Sequence, residues 1–224
     1  MHAGHRERLR KRFTQEGLEG FADHQVLELL LFHALPRRDT NPIAHLLLQR
    51  YGSLSGVFEA DAADLALAPG VGSLAGLFLT LIPAVTRRYL LDSTNRLKPA
   101  LNKPHKTKEY VLPLMAGRTE EVFYALCLDS RNRLIHPALV GEGTVRDVVV
   151  HPRQVVEAAL RHRACSVILA HNHPSGNPRP SAADFQLTRE LILALESIQI
   201  RVLDHVIVGG QEVVSLSEEG LLGE

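Results

Sequence analysis

The chain has 224 residues, 45% of them hydrophobic, with 25 Lys and Arg set against 25 Asp and Glu. That length suffices for one large or two small domains, and the balanced charge excludes a global electrostatic pull toward nucleic acid or membrane, so any such binding must be local. Cys127 and Cys165 lie in or beside apolar strand signals and form no Cys-x-x-Cys pair, which predicts buried free thiols in a reducing compartment. No secretory apolar region opens the chain and no uninterrupted run of about 18 apolar residues occurs, so the expectation is a cytoplasmic protein without a membrane segment.

Residues 1–91 read as helices. His5–Arg12 is strongly basic, Val26–Phe32 is an apolar helical run, and Asn41-Pro42 opens another through Ile43, Leu46, Leu47 and Leu48. Asp61–Ala68, the turn Pro69-Gly70-Val71-Gly72 and Ser73–Leu79 then resemble a helix-hairpin-helix unit. In such a unit the amides around Gly70 and Gly72 can hold a phosphate at a helix N-terminus, and glycine lets the backbone turn sharply and approach closely. DNA-binding hairpins often place Lys or Arg just after this turn, whereas Ser73, Leu74 and Ala75 follow here and remove much of that attraction. Two readings stand side by side: a structural hairpin packing two helices, and DNA contact aided by Arg6, Arg8, Arg10, Lys11, Arg12 and Arg37-Arg38.

Residues 92–106 carry Arg96, Lys98-Pro99, Lys103-Pro104 and Lys106 with few apolar anchors, which predicts a basic, proline-containing linker. From 107 to 224, strand signals near 121–128, 133–140, 166–171, 200–208 and 212–216 alternate with helical signals near 152–163 and 182–197. That order predicts an α/β (α+β) domain with a mixed sheet.

The richest stretch of this domain is His171-Asn-His-Pro-Ser-Gly-Asn-Pro-Arg-Pro-Ser-Ala-Ala-Asp184. Ser166–Ala170 before it is apolar and partly β-branched, so His171 and His173 sit at the C-terminal end of a strand, where alternate residues share a face. Pro174, Gly176, Pro178 and Pro180 force an irregular loop that brings Asp184 back toward the pair. Ser181–Asp184 opens the apolar run Phe185, Leu187, Leu191, Ile192, Leu195, placing Asp184 in the first turn of a helix. Two imidazoles and one carboxylate with a fourth position left for water suit a catalytic zinc ion, although other divalent metals fit the same donors. Each part also has a plain alternative. Ser181 and Asp184 form a capping-box pattern, and histidines near a strand end can be polar edge residues.

A hydrolytic zinc site needs a group to move the proton. Glu120-Glu121 precedes the strand signal Val122–Leu128, and either acid could be a solvated residue at a strand start. Asp204 and His205 make a further pair, in which Asp204 could fix the tautomer of a ligating histidine or be a buried polar group satisfied by backbone. His151, before Pro152, reads as the start of a helix.

Glu121-Val-Phe, Leu128-Asp-Ser130, Gly141-Glu-Gly-Thr144, His151-Pro-Arg153, the His171–Asp184 block and Leu203-Asp-His-Val-Ile-Val-Gly209 together resemble the bacterial RadC family, which carries a JAMM (JAB/MPN-type) metalloprotease domain. The resemblance implies a small all-α, helix-hairpin-helix-type domain followed by a JAMM/MPN-like domain. It implies that His171, His173 and Asp184 bind one Zn2+ whose fourth ligand is the attacking water. Glu121 would be the general acid/base and Ser181 the hydroxyl that stabilises the oxyanion. The implied activity is cleavage of a peptide or isopeptide bond in a protein substrate. Asn172 stands where many JAMM deubiquitinases have Ser or Thr.

Two other functions fit the same residues. One is a DNA-repair or DNA-processing factor, such as a metal-dependent nuclease, although His-Asn-His here is consecutive and followed by Ser-x-x-Asp, unlike the dispersed residues of an HNH nuclease. The other is a non-catalytic DNA-associated module that keeps a metal for stability.

Overall fold

The computed structural model describes residues 3–95, 99–143 and 150–222. Arg96 and Lys98 of the basic segment and Thr144 of the Gly141–Thr144 motif lie outside the described residues. The chain divides into two compact units, Met1–Thr86 and Arg87–Glu224.

In the first unit, helices α1 (Ala3–Glu16), α2 (Asp23–Ala34), α3 (Asn41–Tyr51), α4 (Leu54–Glu59), α5 (Ala62–Leu67) and the start of α6 (Gly72–Asn95) follow one another. Pro42 at the first turn of α3 is preset for helix entry. Asp61 caps α5 by accepting from the amides of Ala63 and Asp64 at 2.7 and 3.2 Å. Leu27, Leu31, Ala44, Leu47, Val57, Leu65, Ala75 and Leu79 form the core. Between α5 and α6 the chain turns through Gly70 at φ +88° and Gly72 at φ +73°, a left-handed conformation that favours glycine. Part of the basic character at the N-terminus is tied up within the unit, while Arg8, Arg10 and Lys11 are exposed. Arg6 donates to the carbonyls of Leu35, Pro36 and Arg38 and lies over the Phe32 ring. Arg12 donates to Glu16, Gln25 and the Gly20 carbonyl, and Arg38 donates to the Gly70 carbonyl at 3.2 Å.

The Gly72–Ser93 part of α6 is, by length and composition, apolar enough to cross a membrane. The expectation of no such segment rested on uninterrupted apolarity, which Thr80, Thr86, Arg87 and Arg88 break here.

The second unit is a five-stranded sheet of order β2-β1-β3-β4-β5, from β1 (Glu121–Leu128), β2 (Leu134–Gly143), β3 (Ser166–Asn172), β4 (Arg201–Gly209) and β5 (Glu212–Ser215). β1 is antiparallel to both β2 and β3, β3 is parallel to β4, and β4 is antiparallel to β5. The sheet is therefore mixed, as the order of signals predicts. Helices α7 (Pro104–Met115), α8 (Pro152–Arg161) and α9 (Ala182–Glu196) cover it. Val122, Tyr124, Leu126 and Leu128 of β1 pack with Tyr110, Val111 and Leu114 of α7. Phe123, Ala125 and Cys127 pack on the other face with Val155 of α8 and Leu191 and Leu195 of α9. Burial on both faces explains why β1 reads as one continuous apolar run rather than an alternation.

Two parts of this unit differ from the sequence expectation. The segment read as a linker contributes to the fold: Ala100 bridges to Arg133, Leu101 is buried, and α7 begins at Pro104. Pro104 at its first turn and Pro113 within it mask α7 in the sequence, because prolines normally signal helix boundaries. Cys127 is a buried free thiol, pushed up to about 11 by desolvation, whereas Cys165 is free but exposed. It lies in the turn before β3, just outside the apolar run that suggested burial.

Candidate metal centre

β3 pairs antiparallel with β1 on one side and parallel with β4 on the other. The parallel connection runs through α9, so the C-terminal end of β3 and the N-terminal end of α9 face each other across a short loop, the usual ligand position in sheets with parallel crossovers. Because β1 runs the opposite way, its first residues meet the same end: Phe123 is in register with His171.

The loop is tightly placed. The His173 amide donates to the Val208 carbonyl at 2.8 Å, and the Gly176 amide donates to the His173 carbonyl at 3.0 Å. Gly176 is at φ +81°, and a side chain at Gly209 would come within 2.5 to 2.7 Å of backbone atoms of residues 176–178. Glycine at 209 thus lets the loop lie directly on β4.

His171, His173 and Asp184 come together. His171 Nε2 is 3.0 Å from His173 Nε2 and 3.1 Å from Asp184 Oδ1, and His173 Nε2 is 3.5 Å from Asp184 Oδ2. His171 is fully buried and stacks on Phe123 with centroids 5.6 Å apart. His173 Nδ1 lies 2.8 Å from the Asn177 carbonyl. A carbonyl only accepts, so that nitrogen carries a proton, and whenever the ring is neutral its lone pair is at Nε2. These three groups could hold a metal ion. The donor set of two imidazoles and a carboxylate fits an open zinc-type site.

Electrostatics in the cluster follow its geometry. Burial acts to raise Asp184, but hydrogen bonds with His171, His173 and Ser181 outweigh it and hold the carboxyl well below its ordinary range. His173 is shifted up by its hydrogen bond with Asp184, with burial opposing.

Asp184 is placed by Ser181. The Ser181 amide and hydroxyl both reach Asp184 Oδ2, at 2.6 and 2.7 Å, while the Asp184 amide donates to Ser181 Oγ at 3.2 Å. The capping-box reading and the ligand reading therefore describe the same carboxylate. Oδ2 is occupied by the cap, and Oδ1 faces His171.

Glu121 is the first residue of β1 and half-buried, with its charge coupled to His171, His173 and Asp184. Desolvation raises its pKa, and the two imidazoles partly offset that rise. Glu120 is exposed. Asn172, between the two histidines, accepts from the Val122 amide at 2.8 Å and donates to the Glu120 carbonyl at 3.0 Å. Its carboxamide thereby grips the backbone on both sides of Glu121.

Asp204 does not reach a ligating histidine. Its carboxylate accepts from the His205 amide at 2.7 Å, the Ser215 hydroxyl at 2.6 Å and the Ser217 amide at 3.0 Å. Burial still raises its pKa against these bonds. The side chain beside His171 is that of His205, with Nε2 2.8 Å from His171 Nδ1, and on its far side Nδ1 lies 2.6 Å from Thr188 Oγ1. Adjacent strand residues face opposite ways, so the pair Asp204-His205 was one residue out of phase with the carboxylate expectation. Gly70 and Gly72 belong to the first unit and take the turn conformation described above. His151 is the N-cap of α8.

The family model for the RadC-like JAB domain matches residues 101–221. The match spans the sheet, α7 to α9, and every residue of the cluster, so the motifs and the fold agree along more than half of the sequence. On that match the chain belongs to the RadC-like JAB domain family.

Proposed function

We propose that this protein is a zinc-dependent hydrolase of JAMM type that cleaves a peptide or isopeptide bond with a metal-activated water. The observation that supports the reading is the convergence of His171, His173 and Asp184 at the end of β3, with the charge of Glu121 coupled to all three. Zinc bound there would supply Lewis acidity and bring a water's pKa toward about 7.

The chain's own residues divide the remaining work. His171 and His173 would present Nε2, and Asp184 its Oδ1. Glu121 would take a proton and pass it to the leaving nitrogen, a task favoured by a carboxyl whose pKa burial raises toward neutrality. Ser181, whose hydroxyl donates to Asp184 Oδ2 at 2.7 Å, would turn that hydrogen toward the oxygen that gains charge in the transition state. The test is Glu121→Gln with metal content and turnover measured together on peptide and isopeptide panels. Retained metal with lost turnover is expected, and unchanged turnover removes Glu121 from the reaction.

A second reading, DNA binding through the first unit, draws on the left-handed Gly70 and Gly72 at the α5–α6 turn. Against it, Arg6, Arg12 and Arg38 already donate to backbone carbonyls. Full-length protein titrated with duplex DNA across a salt series decides it, since phosphate contacts weaken steeply with salt. Absence of binding at low salt removes this reading. A cytoplasmic setting is supported by the free thiols Cys127 and Cys165.

A further inference from the structure

We propose that the α7 face of the sheet carries a binding pocket for a small zwitterion, a free α-amino acid with an apolar side chain, whose ammonium would meet Asp204 and whose carboxylate would meet Lys103. Adjacent residues of β4 face opposite ways, so Asp204 opens away from His205 and the cluster around His171, and the pocket does not depend on the metal reading.

A cavity of about 260 Å3 lies on that face, smaller than the roughly 300–1,000 Å3 of pockets that hold drug-sized ligands. Leu101, Ile168 and Leu203 give it apolar walls, Asp204 and Ser217 a polar one, and the exposed Lys103 lines it as well. All six belong to the second unit. Backbone bonds hold the walls in place. The Leu101 amide donates to the Asn132 carbonyl at 2.8 Å, the Leu134 amide to the Pro99 carbonyl at 2.9 Å, and the Leu216 amide to the His205 carbonyl at 3.0 Å.

The charge of Asp204 is what calls for a ligand. The residue is 5% exposed, and its carboxylate accepts from the His205 and Ser217 amides and from the Ser215 and Ser217 hydroxyls. Every one of these donors is neutral. Among the described residues no Lys, Arg or His contributes to its electrostatics, although buried charges are normally paired. Burial accordingly raises the pKa of this carboxyl even against its hydrogen bonds. The cavity gives a cation from solvent a way to it.

The lining decides which cation. Asp204 is its one carboxylate, and it contains no imidazole or thiolate, so a divalent metal would lack a ligand set. An ammonium needs only acceptors, which Asp204 and the exposed Ser217 hydroxyl supply. Lys108 and Glu218 beside the pocket neutralise each other at 2.7 Å, which leaves Lys103 as the cation that the lining offers to an anionic group. One acid, one base and an aliphatic wall together complement an amino acid such as leucine.

The experiment titrates the full chain, labelled with nitrogen-15, with leucine and follows amide chemical shifts. Saturable shifts are expected at Leu101, Leu203 and Ser217. Isocaproate, which is leucine without its amino group, should bind about 10- to 100-fold more weakly, and Asp204→Asn should weaken leucine binding to the same extent, the worth of a hydrogen bond to a charged group. Leucinamide, which keeps the ammonium and lacks the carboxylate, should lose about two- to fivefold, as should leucine on Lys103→Gln, the worth of an exposed ion pair.

Absence of saturable shifts at those three amides with millimolar leucine overturns the proposal, as does isocaproate binding as tightly as leucine. Shifts confined to the amides around His171, His173 and Asp184 overturn it too, since they place the amino acid at the other cluster. If Asp204→Asn does not fold, isocaproate on the parent protein and Lys103→Gln decide.

Discussion

The carboxamide of Asn172 accepts from the backbone amide of Val122 at 2.8 Å, one residue beyond the last backbone pair between β3 and β1, Phe123 with His171. With its second bond, to the Glu120 carbonyl, Asn172 acts as a side-chain substitute for the next rung of the sheet. The two strands can separate at the metal centre without leaving the buried Val122 amide unpaired.

Asn172→Ala should therefore cost about 1–3 kcal/mol, the penalty of leaving such a group unsatisfied, and release the Val122 amide to faster hydrogen exchange. Bound zinc should be retained, because all three ligands remain, while turnover falls as Glu121 loses its fixed backbone. Unchanged protection of Val122 would sink this account.

The pKa of Glu121 is raised by desolvation. If the carboxylate is the base, activity rises with pH as this group loses its proton, and burial moves the acid limb of kcat/KM upward from that of an exposed glutamate. Glu121→Gln should remove the limb along with the activity. An acid limb below the ordinary glutamate value would contradict the buried position.

Gly209→Ala places a methyl group against the backbone of residues 176–178. Overpacking of this kind costs about 1–3 kcal/mol, readable as a lower denaturation midpoint. Since that loop carries His173 and its partner Asn177, zinc affinity should fall as well. Wild-type stability in this variant would mean that the loop moves aside freely.

Metal linkage gives a direct check on the ligand set. Zinc that binds only the folded state adds about 2.7 kcal/mol at a hundredfold excess over Kd, so Tm of stripped protein should climb on titration. His173→Ala and Asp184→Asn should each abolish the climb. Ser181→Ala, which removes the cap hydroxyl, should lower stability by about 1 kcal/mol even without metal. An equal zinc-dependent rise in His173→Ala would place the ion elsewhere.

The convergence of His171, His173 and Asp184 is legible in sequence because the three are local: a strand end, a Gly/Pro loop and a helix start fix their meeting with little help from the rest of the chain. Glu121 is different. Its approach depends on the register of β1 against β3, across about fifty intervening residues, and only the family resemblance singles it out. His205 escaped for another reason. β4 is buried along most of its length, so alternation of polarity cannot say which of Asp204 and His205 faces α9. Helix α7 was obscured by its two prolines, although Tyr110, Val111 and Leu114 have helical spacing and are buried.

On the proposed reaction, the donors for the cation would all lie within one short contiguous stretch, whereas the proton carrier would arrive on a separate strand, steadied by Asn172. If that reading holds, substitutions confined to β1 would silence turnover in a descendant sequence while leaving its capacity to retain zinc. Metal retention by itself is then a poor marker of hydrolytic competence among such relatives, and the residue to inspect first is the one at position 121.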